Sequence, residues 1–383
     1  MKIGIPVSGC DWGESGISHY VIELLKALAV LPGDEEYLLF GSQAALAIYD
    51  PHSPRFALEA IPDGKAEPAM KNILWNATGL RSFVKSQRLD LLFFPAANRR
   101  MPFAAGLPVV GTVHDLSSLH VTGKYPLSHE IYIKWFVPFL IRRLDRIVSV
   151  SEATKKDTVE SAGAKAERIT VIPHGVDLSR FSPEACKAGA PAVAEKFGLG
   201  APYFLYISRI EHPGKNHVRL IRAFAEFKRR TQSPMLLVLA GKDWDRAEQV
   251  HREAEASPAK ADIRFTGFVS NEDVAGLYGG ATALFFPSLF EGFGMPLLEA
   301  MAAGVPVFCS NCSSLPEVGG DAARYFEPED EASISSSLEA ATDGSLLGSM
   351  RQAGLARAAA SGWDSTAKAT LAQLRSTAER KRQ

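Results

Sequence analysis

The sequence predicts an α/β protein made of two doubly wound parallel sheets, and three observations carry that prediction. The chain has 383 residues, which at roughly 100–200 residues per domain supplies two or three separate cores. Short apolar, β-branched runs alternate with segments of helical period almost throughout, the pattern of repeated βαβ units. These runs fall into two series, separated by a stretch without strand character. Hydrophobic residues make up 46% and charged residues 22%, the proportions of a chain that folds on its own rather than a disordered one.

In the first series, strands are expected at 3–7, 91–95, 109–113, 146–151 and 169–172, with helices at 17–31 and 154–162. The stretch 181–200, rich in Pro, Ala, Gly and Lys, reads as the linker, so the first domain is expected to span 1–185. The second, 196–362, holds strands at 203–208, 236–240, 263–266, 283–287 and 305–309. No repeat of 20–50 residues is present.

Charge and composition then exclude several classes of function. Forty-two Lys and Arg stand against 43 Asp and Glu, a formal charge of -1, so no global basic field exists to collect nucleic acid. The opening Met-Lys-Ile-Gly-Ile-Pro-Val runs into a strand pattern rather than a signal peptide, and no run reaches the ~20 apolar residues of a spanning helix. The nearest, 131–141, is interrupted by Lys134 and Pro138. Cys10, Cys186, Cys309 and Cys312 are expected as free thiols of a reducing compartment, which points to the cytoplasm.

The richest segment, from Ser288 through Glu291-Gly-Phe293-Gly294-Met295-Pro296 to Glu299 and Gly304-Val-Pro, follows the strand at 283–287. Pro296 suits the first helical position and Gly304 the residue just past the helix end. The turn therefore lies at a strand's carboxyl end and a helix start, where open sheets bind ligands and free N–H groups favour phosphate. Glu299 is expected in the first helical turn, so that both acids face one pocket; spacing alone equally allows two solvated carboxylates.

A second segment, Ser208-Arg209-Ile-Glu211-His212-Pro-Gly-Lys215-Asn216-His217, places two cations around a Pro-Gly turn, able to converge on a diphosphate or to form a solvated basic loop. Asp11-Trp-Gly13-Glu-Ser15-Gly16-Ile-Ser-His19 forms a turn before the first helix but no full Gly-x-Gly-x-x-Gly fingerprint. His114-Asp115 closes the strand at 109–113 on its carboxyl edge, where His114 serves either as a structural group or as a cleft residue. His212 and His217, five apart in a loop, lack metal spacing, and Cys309-Ser-Asn-Cys312 has no second pair. Asp243-Trp-Asp245 reads as a charged surface loop among Lys242 and Arg246. Within 131–156, Trp135, Phe136 and Phe139 lie among Lys134, Arg142, Arg143, Arg146, Lys155 and Lys156, which suits either an anionic lipid surface or core packing.

Together these segments resemble the retaining, nucleotide-sugar-dependent glycosyltransferases of the GT-B fold, grouped as glycosyltransferase family 4 (glycosyl transferases group 1). The run from Glu291 to Glu299 looks like the family's Glu-x7-Glu motif, followed by Gly304-Val-Pro-Val and Ser314-Leu-Pro-Glu317. Ser208-Arg209-Ile with Lys215-Asn216 is similar to its basic diphosphate pair, and Ile172-Pro-His-Gly175-Val-Asp177 to its end-of-first-domain signature. The resemblance implies two Rossmann-like domains facing a central cleft, the first binding acceptor and the second donor, with a C-terminal helix, 363–383, crossing back to the first.

It further implies that Glu299 binds the ribose hydroxyls, that Glu291 binds donor-sugar hydroxyls, and that the Phe293, Gly294 and Met295 amides, at the helix start by Pro296, hold sugar and phosphate. Arg209 and Lys215 would neutralise the leaving diphosphate, and His114 would hydrogen-bond the donor sugar. Gly16 would let its loop approach the phosphate and acceptor, although the family's commoner Gly-Gly pair is Ser15-Gly16 here. Phe268 and Val269, in Phe265-Thr-Gly267-Phe-Val, lie in a segment similar to the one whose backbone reads the nucleobase.

Breaking a sugar–phosphate bond leaves positive charge on the ring and negative charge on the diphosphate, so fixed cations and helix-end amides lower the barrier. The expected reaction is transfer from a nucleotide-diphosphate sugar to a saccharide or lipid-linked saccharide in cell-surface polysaccharide synthesis. Retention by front-side displacement is expected, with no cofactor and no metal. The other readings are an epimerase of the same fold, a non-catalytic sugar-binding protein and a pseudo-enzyme.

Overall fold

The computed structural model describes residues 1–8, 10, 13, 15–62, 69–97, 101, 105–116 and 132–380, which divide into two compact units. Unit 1 joins Met1–Gly175 to the segment from Trp363, and unit 2 is the continuous stretch Val176–Gly362. The break thus falls between Gly175 and Val176 rather than at 185.

Among the described residues, unit 1 holds seven strands, β1 (Lys2–Pro6), β2 (Glu36–Gly41), β3 (Phe56–Ala60), β4 (Leu91–Phe94), β5 (Val109–Val113), β6 (Arg146–Ser149) and β7 (Ile169–Val171). They form one sheet in the order β3-β2-β1-β4-β5-β6-β7, parallel at every pairing. Its helices are α1 (Gly16–Val30), α2 (Gln43–Tyr49), α3 (Ala69–Thr78), α4 (Leu80–Ser86), α5 (Val137–Arg142) and α6 (Glu152–Glu160). The central strands are buried on both faces, which is why they read as unbroken apolar runs rather than alternating ones. Helix α1 starts where the Ser15 side chain accepts the Ser18 amide, and it buries Tyr20, Val21, Leu24, Leu25 and Leu28 along one stripe.

Unit 2 holds β8 (Tyr203–Ile207), β9 (Leu236–Ala240), β10 (Ile263–Gly267), β11 (Ala281–Phe286), β12 (Val307–Ser310) and β13 (Ala323–Phe326). The order is β10-β9-β8-β11-β12-β13, again wholly parallel. Helices α7 (Pro183–Phe197), α8 (His217–Thr231), α9 (Ala247–Ala256), α10 (Asn271–Gly280), α11 (Met295–Ala302), α12 (Leu315–Gly319), α13 (Glu331–Ala340) and α14 (Gly344–Ala359) surround it, and α15 (Trp363–Arg380) returns to unit 1. An aromatic seam joins three of the strands: the Phe285 ring lies 5.0 Å from Phe204, edge-on, and 5.0 Å from Phe308, stacked.

The stretch expected as a linker, 181–200, is instead mostly helix α7. Ser182 caps it by accepting the Ala185 amide, Pro183 opens it, and Gly198 closes it in the left-handed region. Its small residues serve helix contact rather than flexibility: a Cβ on Gly279 of α10 would lie 2.0 Å from the Cys186 carbonyl oxygen of α7. Only paired helices whose facing residues are this small can bring their backbones so close.

Helix α15 is tied to unit 1 along its length. Thr366 donates to the Pro173 carbonyl at 2.9 Å, Thr170 donates to Gln373 at 2.9 Å, and Arg375 pairs with Glu35 at 2.6 Å. Among the described residues no helix is long and apolar enough to cross a membrane.

Candidate active site

In unit 2 the chain runs outward from β8 through β9 to β10, then restarts at β11 on the other side of β8. The β8/β11 boundary is therefore the topological switch point, and ligands of open α/β sheets bind outside the carboxyl ends of the strands there. The two loops that leave β8 and β11 at that point are 208–216 and 287–294.

These loops are bound to each other. The Asn216 amide donates to the carbonyls of Pro287 at 3.0 Å and Pro328 at 2.6 Å, and the Leu289 N–H donates to Gly214 at 2.9 Å. Tyr206, fully buried on β8, donates to the Lys215 carbonyl at 2.8 Å and shares a bond of 3.1 Å with Ser288. Burial pushes its phenol well above the usual range, so it acts as a fixed hydrogen-bonding strut.

On this frame Lys215 Nζ lies 2.6 Å from Glu291 Oε1, with both side chains largely buried. Ser313 and Ser314 donate to the Glu291 carbonyl at 2.5 and 3.0 Å, fixing the acid's backbone. Arg209 does not join this pair. It lies 3.3 Å from Glu211, and its guanidinium carbon stands 5.1 Å from the Trp244 ring centroid. Arg209 and Lys215 are thus each met by a separate carboxylate.

Helix α11 begins at Met295 because Gly294, at φ +92°, takes the left-handed capping position; a Cβ there would lie 2.7 Å from Leu315. Pro296 is consequently the second helical residue and Glu299 the fifth, in the second turn rather than the first. The Glu299 carboxylate accepts the Tyr278 hydroxyl at 2.9 Å, whereas Glu291 is held by Lys215, so the two acids have different partners. Burial and the Glu299 charge both raise the Tyr278 phenol, which stays protonated as a donor. The far end of α11 closes as expected: Gly304, at φ +71°, donates to Met301 at 3.1 Å and Val305 donates to Ala300 at 2.8 Å. Phe293 is buried, while Met295 is half-buried at the helix mouth. Phe268 is exposed and Val269 half-buried on the loop after β10.

In unit 1, His114 follows β5 at the carboxyl edge and is buried, its Nε2 2.7 Å from the Pro95 carbonyl. It meets the Tyr20 ring edge-on at 4.6 Å, and Tyr20 in turn meets His174 at 4.6 Å and Trp363 at 5.8 Å. Burial holds the His174 imidazole well below its ordinary range. Gly16 is exposed as the first residue of α1 under the Ser15 cap. Asp11, Trp12 and Glu14 of the preceding turn lie outside the described residues.

Several further expectations are now placed. His217 is the first residue of α8 rather than part of a loop, buried and pushed down to about 3 chiefly by desolvation. None of the four cysteines is joined in a disulfide; burial raises the Cys312 thiol to about 11, and its Sγ donates to the Leu289 carbonyl at 3.2 Å. Asp243 bonds His251 at 2.9 Å, and among the described residues no three His, Cys, Asp or Glu side chains gather to hold a metal ion. The 131–156 segment divides: Val137, Leu140 and Ile141 enter the core, while Trp135 is 73% exposed and Phe136 and Phe139 also face solvent. Sequence reasoning gave no role to Trp244, Tyr206 or Tyr278. Trp244 carried a signal, an aromatic inside an acidic pair, but Tyr206 and Tyr278 look like any core aromatic.

Two parallel sheets with charged and glycine-bearing loops at a switch point define a doubly wound α/β protein. Comparison with known proteins gives the family. The model of the family described as Glycosyltransferase Family 4 matches residues 15–180, and that of Glycosyl transferases group 1 matches residues 184–354. The chain belongs to this glycosyltransferase family. It is 29% identical to the O-antigen chain mannosyltransferase B of Escherichia coli, over 97% of this chain and 98% of that one. It is also 31% identical to the serotype-specific mannosyltransferase WbdA of Escherichia coli over 66% of this chain, a match spanning 32% of that longer protein. Among solved structures, Anabaena Alr3699/HepE in complex with UDP and glucose superposes with TM-score 0.75 at 18% identity, over 98% of this chain and all of that one. WaaG, a glycosyltransferase involved in lipopolysaccharide biosynthesis, superposes with TM-score 0.73 at 16% identity, over 97% and 99%. The fold is GT-B, with two Rossmann-like units.

Proposed function

We propose that this glycosyltransferase moves a mannosyl residue from a nucleotide-diphosphate sugar, GDP-mannose, to a saccharide or lipid-linked saccharide of an O-antigen-type polymer, with retained anomeric configuration and without a divalent metal. The observation that carries this reading is the pair of charged loops tied together at the β8/β11 switch point beside the open start of α11. The mannosyltransferase names of the relatives support the sugar and the polymer.

In this reading the diphosphate takes Lys215 from Glu291 and Arg209 from Glu211, and the α11 amides face its oxygens. Glu291, released from the lysine, orients hydroxyls of the donor sugar. Glu299, with Tyr278 behind it, receives the ribose, and the loop carrying Phe268 and Val269 meets the base. His114, fixed by the Pro95 carbonyl, is proposed as a hydrogen-bonding partner of the donor sugar. Fixed cations replace the metal that would otherwise neutralise the leaving group.

A donor-hydrolysis screen over GDP-mannose, UDP-glucose, UDP-N-acetylglucosamine and a rhamnose donor, run in excess EDTA, tests this. Release of GDP from GDP-mannose alone is the expected result. Complete loss in EDTA with recovery in Mn²⁺ overturns metal independence and turns attention to Asp243 and Asp245. Isomerised nucleotide sugar without acceptor would favour the epimerase reading. The exposed Trp135, Phe136 and Phe139, with Arg143 5.3 Å from the Phe139 ring, further support peripheral contact with an anionic membrane. Co-sedimentation with anionic vesicles at low salt is expected, and its absence removes that contact from the proposal.

A further inference from the structure

The Asp243-Trp244-Asp245 sequence holds no metal cluster among the described residues, and the Asp243 carboxylate is engaged elsewhere. Asp243 bonds His251 of α9 at 2.9 Å, and the Asp245 carbonyl accepts the His212 amide at 3.1 Å. What the segment does structurally is continue the β8–β9 ladder past the ends of both strands. Ser208 donates to Ala240 at 3.0 Å, Ile210 to Lys242 at 3.0 Å, and Trp244 to Ile210 at 2.9 Å. The backbone of Trp244 is thereby locked to the loop that carries Arg209.

The indole has no core to fill, being 53% exposed, yet the Arg209 guanidinium stands 5.1 Å from its ring centroid. Arginine is long and rotamer-rich, and a planar aromatic face is the one surface that orients its guanidinium without consuming any of its hydrogen-bond donors. Glu211, 3.3 Å away, competes with an incoming diphosphate for those donors. The indole does not compete, and it keeps contact whichever anion the guanidinium meets.

We propose that Trp244 is a positioning residue for Arg209: it holds the guanidinium at the carboxyl edge of β8, ready to exchange Glu211 for the donor diphosphate. The proposal rests on the diphosphate role given to Arg209 above. It also gives the Asp-x-Asp sequence a purpose, as the framework that delivers an aromatic to the cation rather than as a metal ligand pair.

The test is GDP affinity by calorimetry, with kcat and KM for GDP-mannose, in Trp244→Ala, Trp244→Phe, Arg209→Ala and the Trp244→Ala/Arg209→Ala double variant. Trp244→Ala is expected to weaken GDP binding about tenfold, and Trp244→Phe to restore most of it. In the Arg209→Ala background the tryptophan replacement is expected to add nothing, because the group it positions is gone. Unchanged GDP affinity in Trp244→Ala, or an equal loss with and without Arg209, overturns the proposal while leaving the diphosphate role of Arg209 standing. If Arg209→Ala itself leaves GDP affinity and turnover as in the wild type, that role falls, and the positioning role with it. Because Trp244 is exposed, the melting temperatures of its variants should match the wild type, which separates positioning from a folding defect.

Discussion

Lys215 and Glu291, 2.6 Å apart, neutralise one another, whereas Glu299 has no such cation among the described residues, so removing the two acids of the motif is expected to have different effects. Glu291→Ala frees Lys215 for phosphate: nucleoside diphosphate affinity is expected to hold or improve, while transfer slows by on the order of 10²-fold. Glu299→Ala should instead weaken nucleotide binding and leave the Tyr278 hydroxyl only the longer bond to the Pro296 carbonyl, at 3.4 Å. Calorimetry on the two variants with GDP checks this, and the reverse pattern would exchange their assignments. His217 makes a second prediction. Its folded pKa, about 3, lies below the ordinary 6.5, so between those values the unfolded chain binds a proton that the folded one refuses. Stability therefore falls as pH drops through that window, by up to about 1.4 kcal/mol per pH unit from this residue. His217→Gln should flatten denaturant-derived stability between pH 6 and 4 without abolishing the slope, since His174 contributes in the same direction. The motif residues were legible because glycines, cations and acids at strand ends are rare combinations. Their pairing was not, because which carboxylate meets which cation depends on side-chain reach, and Arg209 reaches Glu211 rather than Glu291.

At the scale of elements, the contact between α7 and α10 inverts an ordinary rule. Glycine inside a helix usually costs about 1 kcal/mol relative to alanine, so its replacement stabilises. At Gly279 the added methyl would meet the Cys186 carbonyl at 2.0 Å and force the two helices apart. Gly279→Ala is expected to lower stability by about 1–3 kcal/mol, read from the chemical-denaturation midpoint. Gly348→Ala, on α14 with open space around it, is the control and should be neutral or stabilising. The same residues explain why 181–200 reads as a linker: alanine and glycine signal flexibility until a second helix is known to lie against them. Three strands also escaped the sequence reading. β3 is mostly exposed and carries Ala-Leu-Glu-Ala, and β13 exposes its middle residues, so neither shows the apolar run of a buried parallel strand. β2 is well buried but ends directly at Gly41 before α2, and its short run gives no period to measure.

For the whole molecule, the two alternating series were enough to read two doubly wound sheets, because most of the parallel strands are buried on both faces and show as continuous apolar runs. Where the units divide was less legible, since Ile172-Pro-His-Gly175 passes into unit 2 without a polar spacer. Helix α15 adds a consequence for biogenesis. Unit 2 is contiguous, whereas unit 1 is interrupted by it and needs a helix that the ribosome makes only afterwards. The Glu35–Arg375 ion pair closes a separation of 340 residues, the slow kind of contact whose loop entropy is spent before the contact repays it. A nascent chain ending at Gly362 should therefore already carry a protease-resistant unit 2 while α1 and its sheet remain open to cleavage. Limited proteolysis of a chain truncated there, followed by addition of a peptide spanning 363–380, checks this: protection of unit 1 should return with the peptide. Helix α15 thus acts as a latch on the first strands made, and the order of synthesis becomes an order of assembly.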